Sequence, residues 1–195
     1  MNIVPEGTFP ADVVERAKKL IDANPGGSGA YSASKGIPLV CQDVADFISR
    51  RDGYECSPDS IFLTNGASPS VQNALLIATS SPQDGFLTPI PQYPLYSAAI
   101  TMNDAKLIGY HLDEENKWGI DFEELEQKYA QAVEQGIRPK GLIVINPGNP
   151  TGMVSCEMNG FGWIWIWIWN AILNCVKSIG NGFVLAISYL VYGRS

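Results

Sequence analysis

Gly141-Leu142-Ile143-Val144-Ile145 followed by Asn146-Pro147-Gly148-Asn149-Pro150-Thr151-Gly152 decides the reading of this chain. The first five residues form an apolar run of the length of a buried strand. Asn, Pro and Gly then impose a sharp loop. Ligands of open α/β sheets bind beyond the carboxyl ends of strands, so the loop 146–152 is the first place to seek a site.

Working upstream, strands and helices alternate. Thr8 reads as the N-cap of a helix starting at Phe9-Pro10, with Val13, Val14, Ala17, Leu20 and Ile21 along one face. A second helix is expected from Pro38 to Arg51, with Val40, Val44, Phe47 and Ile48 as its buried stripe and Gly53 as its cap. Ile61-Phe62-Leu63 reads as a short strand, and Gly66-Ala67-Ser68-Pro69 opens a helix through Ala78. Gly85 to Thr88 is a strand. Pro89 to Tyr96 is a proline-rich loop entering a helix that ends near Met102. Lys106 to His111 is the next strand, and Asp121-Phe122-Glu123-Glu124 starts a helix in the manner of a capping box. The series closes on Leu142 to Ile145. This alternation predicts an α/β fold with a mainly parallel sheet covered on both faces.

Composition narrows the function. A net charge of −7 argues against nucleic acid or an anionic membrane as partner, because both recruit basic patches. Cys41, Cys56, Cys156 and Cys175 show no metal spacing, and His111 is the only histidine. A histidine-based zinc site or a Ser-His-Asp triad is therefore not expected, and no metal site is predicted. Met1 to Phe9 has neither a basic stretch nor an apolar one that would mark a secretory signal. A reduced, cytoplasmic setting is the expectation.

The composition also divides the chain. Residues 1–152 hold 11 Lys/Arg and 19 Asp/Glu, whereas residues 153–195 hold only Glu157, Lys177 and Arg194. Four of the five tryptophans fall within Trp163–Trp169. The expected organisation is a domain over 1–152 and a distinct hydrophobic tail over 153–195.

Three strand ends could carry chemistry. Asn65-Gly66-Ala67-Ser68 leads into a helix N-terminus, where free N–H groups and the dipole favour an anion such as phosphate. Ser68 adds a hydroxyl, and Gly66 permits close approach. An ordinary helix start would place Ser68 and Pro69 in the same way. Pro91-Gln92-Tyr93-Pro94-Leu95-Tyr96 holds two aromatics between prolines, a surface on which a flat ring could stack. Packing into the core is the alternative, and the one favoured for Tyr96. Asn149 offers a neutral amide donor in a constrained loop. It could equally be a turn residue, since Asn before Pro favours turns. An anion cradle, a ring platform and an amide donor together suit a flat phosphorylated aromatic cofactor, with pyridoxal 5′-phosphate the leading candidate.

These stretches resemble the class I aminotransferases of the type I pyridoxal-phosphate fold, within them the alanine and glutamate–glyoxylate aminotransferase group. The resemblance rests on Gly29-Ala30-Tyr31-Ser32 with Gly36-Ile37, on Arg50 to Tyr54, on Ile61 to Ser68, on Pro89 to Ala98 and on Ile145 to Gly152. It covers about residues 9–152. It implies a partial three-layer αβα large domain. Ala67 and Ser68, with Gly66, would hold the phosphate, Tyr93 would stack on the ring, and Asn149 would bond its 3′-oxygen. Tyr31 would reach the phosphate bound in a partner subunit of a homodimer. An amino acid and a 2-oxo acid would be the substrates, and mitochondrial or peroxisomal forms of the group remain open.

Pyridoxal chemistry also needs a lysine to hold the cofactor and move the proton, a carboxylate on the ring nitrogen and an arginine for the substrate carboxylate. In the group all three lie beyond the matching segment. Here Lys177 is the only lysine after Lys140, its surroundings do not resemble the group's lysine motif, and no aspartate follows Asp121. No catalytic residue is therefore carried over, and the chain alone is expected to be inactive and truncated, with its start also short of the group's.

Trp163-Ile164-Trp165-Ile166-Trp167-Ile168-Trp169 is apolar on both faces. A membrane segment would be interrupted by Asn170 and Asn174 and is short of the ~20 residues a span needs. Val154-Ser155 is what the common intron donor GTAAGT encodes, so a read-through or mispredicted frame fits better. The alternative is a non-catalytic protein: a cofactor-binding or subunit-interaction fragment, or one tethered to a membrane through the Trp/Ile-rich tail. Without a following strand, the sheet is expected to end in an open edge.

Overall fold

A computed structural model describes residues 7–27, 31–154 and the backbone of 186–188. The expectations for Gly29, Ala30 and the Trp/Ile run lie outside the described residues. The chain divides into two compact units, Met1–Ser70 and Val71–Ser195.

The first unit contains helices α1 (Ala11–Ala23) and α2 (Pro38–Asp52), a 3-10 turn at Pro58–Ser60, and the start of α3 (Ala67–Ala78). Helix α1 starts later than expected. Pro10 occupies the N-cap position, with no side-chain cap hydrogen bond. Its apolar stripe is not buried: Val13, Val14 and Ile21 are all exposed. Arg16 pairs with Asp43 of α2.

Helix α2 ends as predicted, on Gly53 at φ 75°, whose N–H bonds Ser49 O. Its buried centre is Cys41 and Ala45 rather than the stripe from Val40 to Ile48. These small side chains let the backbone come close, and Cys41 Sγ lies 3.8 Å from Lys35 O and 4.0 Å from Ile61 O. Ile61-Phe62-Leu63, expected as a strand, is not one. Leu63 N–H donates to Lys35 O at 2.8 Å, but a single bond makes no ladder.

The second unit is built on β1 (Asp84–Ile90), α4 (Leu95–Met102), β2 (Lys106–Asp113), β3 (Gly119–Ile120), α5 (Phe122–Glu134), β4 (Arg138–Leu142), β5 (Val144–Asn146) and β6 (Ala186–Ser188). The main sheet runs β3-β2-β1-β4, with β1 parallel to both β2 and β4, and only β3 antiparallel. Asp84 to Pro89 are all buried, the continuous burial of a central parallel strand. Phe86 packs on one face with Val71 and Leu75 of α3 and with Tyr96, Ala99 and Ile100 of α4. Leu87 packs on the other with Ile108, Tyr110, and Leu125 and Ala132 of α5. Helix, sheet and helix form three layers, as the sequence predicts. The fate favoured for Tyr96 is observed: it is a core residue.

The decisive run 141–145 is one strand in the sequence and two in the structure. Strand β4 pairs with β1, and β5 pairs in parallel with β6. Ile143 sits buried at the break. Its N–H donates to Leu87 O at 2.8 Å, and its carbonyl accepts the Tyr110 hydroxyl at 2.8 Å. The break is therefore fully hydrogen-bonded. Where an open edge is expected, β5 is paired by β6, while β4 ends the four-stranded sheet. The sequence reading also missed β3, a two-residue strand too short to show a period. It follows a turn in which Lys117 and Trp118 have φ of 57° and 61°.

Candidate functional site

Five of the six predicted site residues stand beside the end of a strand or helix, Tyr31 lies in the loop between α1 and α2, and the six fall in two sets. Tyr93 and Asn149 belong to the second unit, whereas Tyr31, Gly66, Ala67 and Ser68 belong to the first.

In the second unit, β5 runs into the loop 146–152. Gly148 N–H donates to Met153 O at 2.7 Å, and Gly152 N–H donates to Gly148 O at 2.8 Å. A Cβ at Gly148 would collide with Thr151 Oγ1, so a larger residue there would force the Thr151 side chain to move. This closure holds Asn149 on the outside, exposed. Asn149 lines a cleft of about 950 Å³ together with Pro89, Pro91, Leu112, Trp118 and Asn146. The loops after β1 and β5 thus border one cavity, at the carboxyl end of β5.

Tyr93 is two residues beyond Pro91 but does not line that cleft. It is 43% exposed, so its ring is open to a ligand. Its carbonyl accepts from Tyr96 N–H at 3.3 Å, and Pro94 O accepts from Ala98 N–H at 3.1 Å and Ser97 Oγ at 3.0 Å. The first turn of α4 therefore fixes the platform's backbone. Between them, Gln92 Oε1 is buried without a hydrogen-bond partner among the described residues.

In the first unit, Gly66 has φ 96°, a conformation that a side chain would strain whatever the free space around it. Thr64 Oγ1 donates to Gly66 O at 2.7 Å and contacts Ser70 Oγ. The helix then opens at Ala67, and its first N–H groups have no partner within the helix. Ser68 is half-buried and Tyr31 fully exposed.

Two residues that brace the second unit gave no signal in the sequence. Asp84 is fully buried at the start of β1 and accepts from Ser80 N–H and Ser80 Oγ, each at 2.8 Å. Arg138 Nη2 lies 2.8 Å from its other oxygen, an ion pair without the alignment of a hydrogen bond. Burial pushes this carboxyl up, but the Ser80 donors and the charges of Lys140 and Arg138 outweigh it and hold it below its ordinary range. Tyr110 is buried, and burial drives its phenol well above its ordinary range, so it stays neutral as the donor to Ile143 O. On the surface, His111 Nδ1 lies 2.8 Å from Glu124 Oε1. Burial opposes ionisation of Glu124, but His111 and Lys128 prevail and lower its pKa.

No group of acidic, histidine or cysteine side chains among the described residues is arranged to hold a metal ion. No helix among them is long and apolar enough to cross a membrane.

Residues 4–157 match the family described as aminotransferase class I and II. The chain is 49% identical over 151 residues to glutamate–glyoxylate aminotransferase 2 of Arabidopsis thaliana, covering 77% of this chain and 31% of that protein. It is 50% identical over 147 residues to a probable mitochondrial alanine aminotransferase of Dictyostelium discoideum, covering 75% and 28%. Among solved structures it resembles an alanine aminotransferase from Pyrococcus furiosus, with a TM-score of 0.65 and 26% identity, over 92% of this chain and 40% of that one. The chain spans about a third of the length of the curated relatives it matches.

Proposed function

The chain belongs to the class I and II aminotransferase family, and on that premise we propose that residues up to Gly152 form the part of an alanine- or glyoxylate-type aminotransferase that holds pyridoxal phosphate. The parent reaction moves an amino group between alanine and 2-oxoglutarate. Enzymes of this family use pyridoxal phosphate. When bound, that cofactor supplies an electron sink for the bonds at an amino acid's Cα.

The residues present fit such a group. The opening turn of α3 offers backbone N–H donors and the Ser68 hydroxyl to a phosphate, and Gly66, with a positive φ and no atom near where its Cβ would lie, leaves room for one to approach. Tyr93 offers an exposed ring, and the orphaned Gln92 Oε1 beside it offers an acceptor that a bound donor would satisfy. Asn149 donates through its amide to a ring oxygen without adding charge. Tyr31 donates to a phosphate across the interface of a homodimer. The setting is cytoplasmic.

The observation that carries this reading is the Asn146–Gly152 loop. It closes on itself through Gly148 and presents Asn149, exposed, beyond a parallel strand. Equilibrium dialysis of pyridoxal phosphate against the full chain tests it. Retention is expected to fall about tenfold, or 1.4 kcal/mol, in Asn149→Ala and in Tyr93→Ala. Unchanged retention in both would sink the assignment.

Turnover is a separate matter. With no lysine in the family's setting, the chain as it stands holds cofactor and does not transaminate. Alanine-dependent consumption of 2-oxoglutarate by the purified chain would overturn that. The second reading, a non-catalytic cofactor-binding or interaction fragment, predicts cofactor retention in the same dialysis without turnover. Its membrane-tethered form requires that extraction from cells depend on detergent.

A further inference from the structure

Between Asp59 and Asp104 the sequence holds one charged side chain, Asp84, and that one is fully buried. In the second unit this span supplies α3 from Val71 onward and all of α4, the two helices that pack on the Phe86 face of the sheet. Neither helix carries a charged residue.

Their outer sides are apolar instead. Val71 and Leu75 take the inner side of α3. Helical spacing then turns Leu76 and Ile77 outward, and they are 59% and 75% exposed. On α4, Tyr96, Ala99 and Ile100 point inward. Ala98 and Met102, one turn apart, are exposed, Met102 to 80%. The opposite layer behaves differently. Helix α5 buries Leu125 and Ala132, and its exposed residues include Glu123, Glu126 and Glu134. That is the pattern of a helix whose outer face stays in water. A helix apolar on both sides, as α3 is, has the pattern of one covered on both. Helix α1 also exposes Val13, Val14 and Ile21, but these alternate with Asp12, Glu15, Lys18 and Asp22.

We propose that the outer face of α3 and α4 is an interface with a second copy of this chain, paired about a two-fold axis. Charge selects the partner. Each copy carries −7, so two copies repel one another over most of their surface. Two-fold pairing brings one patch onto itself, and a patch of net charge then meets its own sign. Contact through α5 would set glutamates against glutamates. The α3–α4 face has no charge to oppose, and the cores of protein interfaces are depleted of charge in the same way. Apolar side chains standing together in water mark a surface for association. The inference is independent of the cofactor reading, since Leu76, Ile77 and Met102 are not among the residues assigned to the cofactor.

Sedimentation velocity of the full chain tests it. Wild type is expected at twice the 21.2 kDa of one chain. Raising salt from ~50 to ~500 mM should preserve or tighten the dimer, because the repulsion between copies is what salt screens. Ile77→Glu combined with Met102→Glu should raise the dimer dissociation constant by about tenfold or more. Val133→Glu, on the exposed side of α5, should leave it unchanged. Mixing the double glutamate chain with one carrying Ile77→Lys and Met102→Lys should restore a dimer, a result that misfolding could not produce. A monomeric wild type would overturn the assignment, and so would a dimer that salt dissociates. Dimers or larger species that persist in the double glutamate chain would also overturn it, because another surface would then drive association.

Discussion

Helices α1 and α5 have the same length, 13 residues each, and both carry an apolar stripe. Their fates differ. Helix α5 starts on Asp121, whose carboxylate accepts from Glu123 N–H at 2.9 Å and Glu124 N–H at 3.2 Å, and it buries Leu125 and Ala132 against the sheet. Helix α1 starts on Pro10 without a side-chain cap and buries no residue. A stripe records which face of a helix is to be covered. Whether the cover exists depends on what else the chain places beside it, and for α1 no such cover occurs among the described residues.

If that contrast is right, truncating the two stripes should have unequal consequences. Leu125→Ala should cost about 3 kcal/mol by urea denaturation, the ordinary cost of emptying a buried leucine site. A loss below about 1 kcal/mol would mean that α5 is no better covered than α1. Next in size is Asp84, the buried carboxylate that ties β1 to Ser80 and faces Arg138. Asp84→Asn should cost about 2 kcal/mol, because charged hydrogen bonds are lost inside the fold. Its folded pKa is depressed, so its contribution is complete above the unfolded value, near ~4, and is lost as pH falls through the folded value. The gap between wild type and Asp84→Asn should therefore narrow in melts taken below about pH 4. A gap that widens there would reverse the assigned sign. Asp121→Ala, which removes the cap of α5, should cost about 1 kcal/mol. Val13→Ser on the exposed face of α1 should stay within about 0.5 kcal/mol. A larger loss would reveal that α1 is covered after all.

The same contrast explains what could be read from the sequence. The cap of α5, the buried run of β1 and the glycine that ends α2 are local matters, set by a few neighbouring side chains, and all three were legible. The strand expected at Ile61–Leu63 required a ladder partner, but Ile61 bonds only the local Pro58 carbonyl and Leu63 makes a single bond to Lys35. The buried side of α2 moved to Cys41 and Ala45 because close backbone approach favoured small residues over large ones, a preference that apolar periodicity does not encode. The run 141–145 carried no mark of its break, since Ile143 is as apolar as its neighbours. The bond from Tyr110 that stabilises the break comes from far along the chain. For the candidate site, residue types at strand ends were enough to nominate Tyr93 and Asn149. The bracing residues Asp84 and Tyr110 were invisible, because one aspartate before a strand and one tyrosine within another are unremarkable until tertiary neighbours are known.

The central position of β1 has a consequence for synthesis. Its partner β2 emerges soon after it, but the residues of β4 that occupy its other edge follow about 50 residues later. At ~5–20 residues per second this interval lasts about 2–10 s. Throughout it, a newly made apolar strand presents one unpaired edge, the kind of surface that recruits other chains. A ribosome that slows between codons 91 and 137 would lengthen this exposure without altering a single residue of the finished protein, so the yield of folded chain should depend on codon choice in that stretch more than in any other.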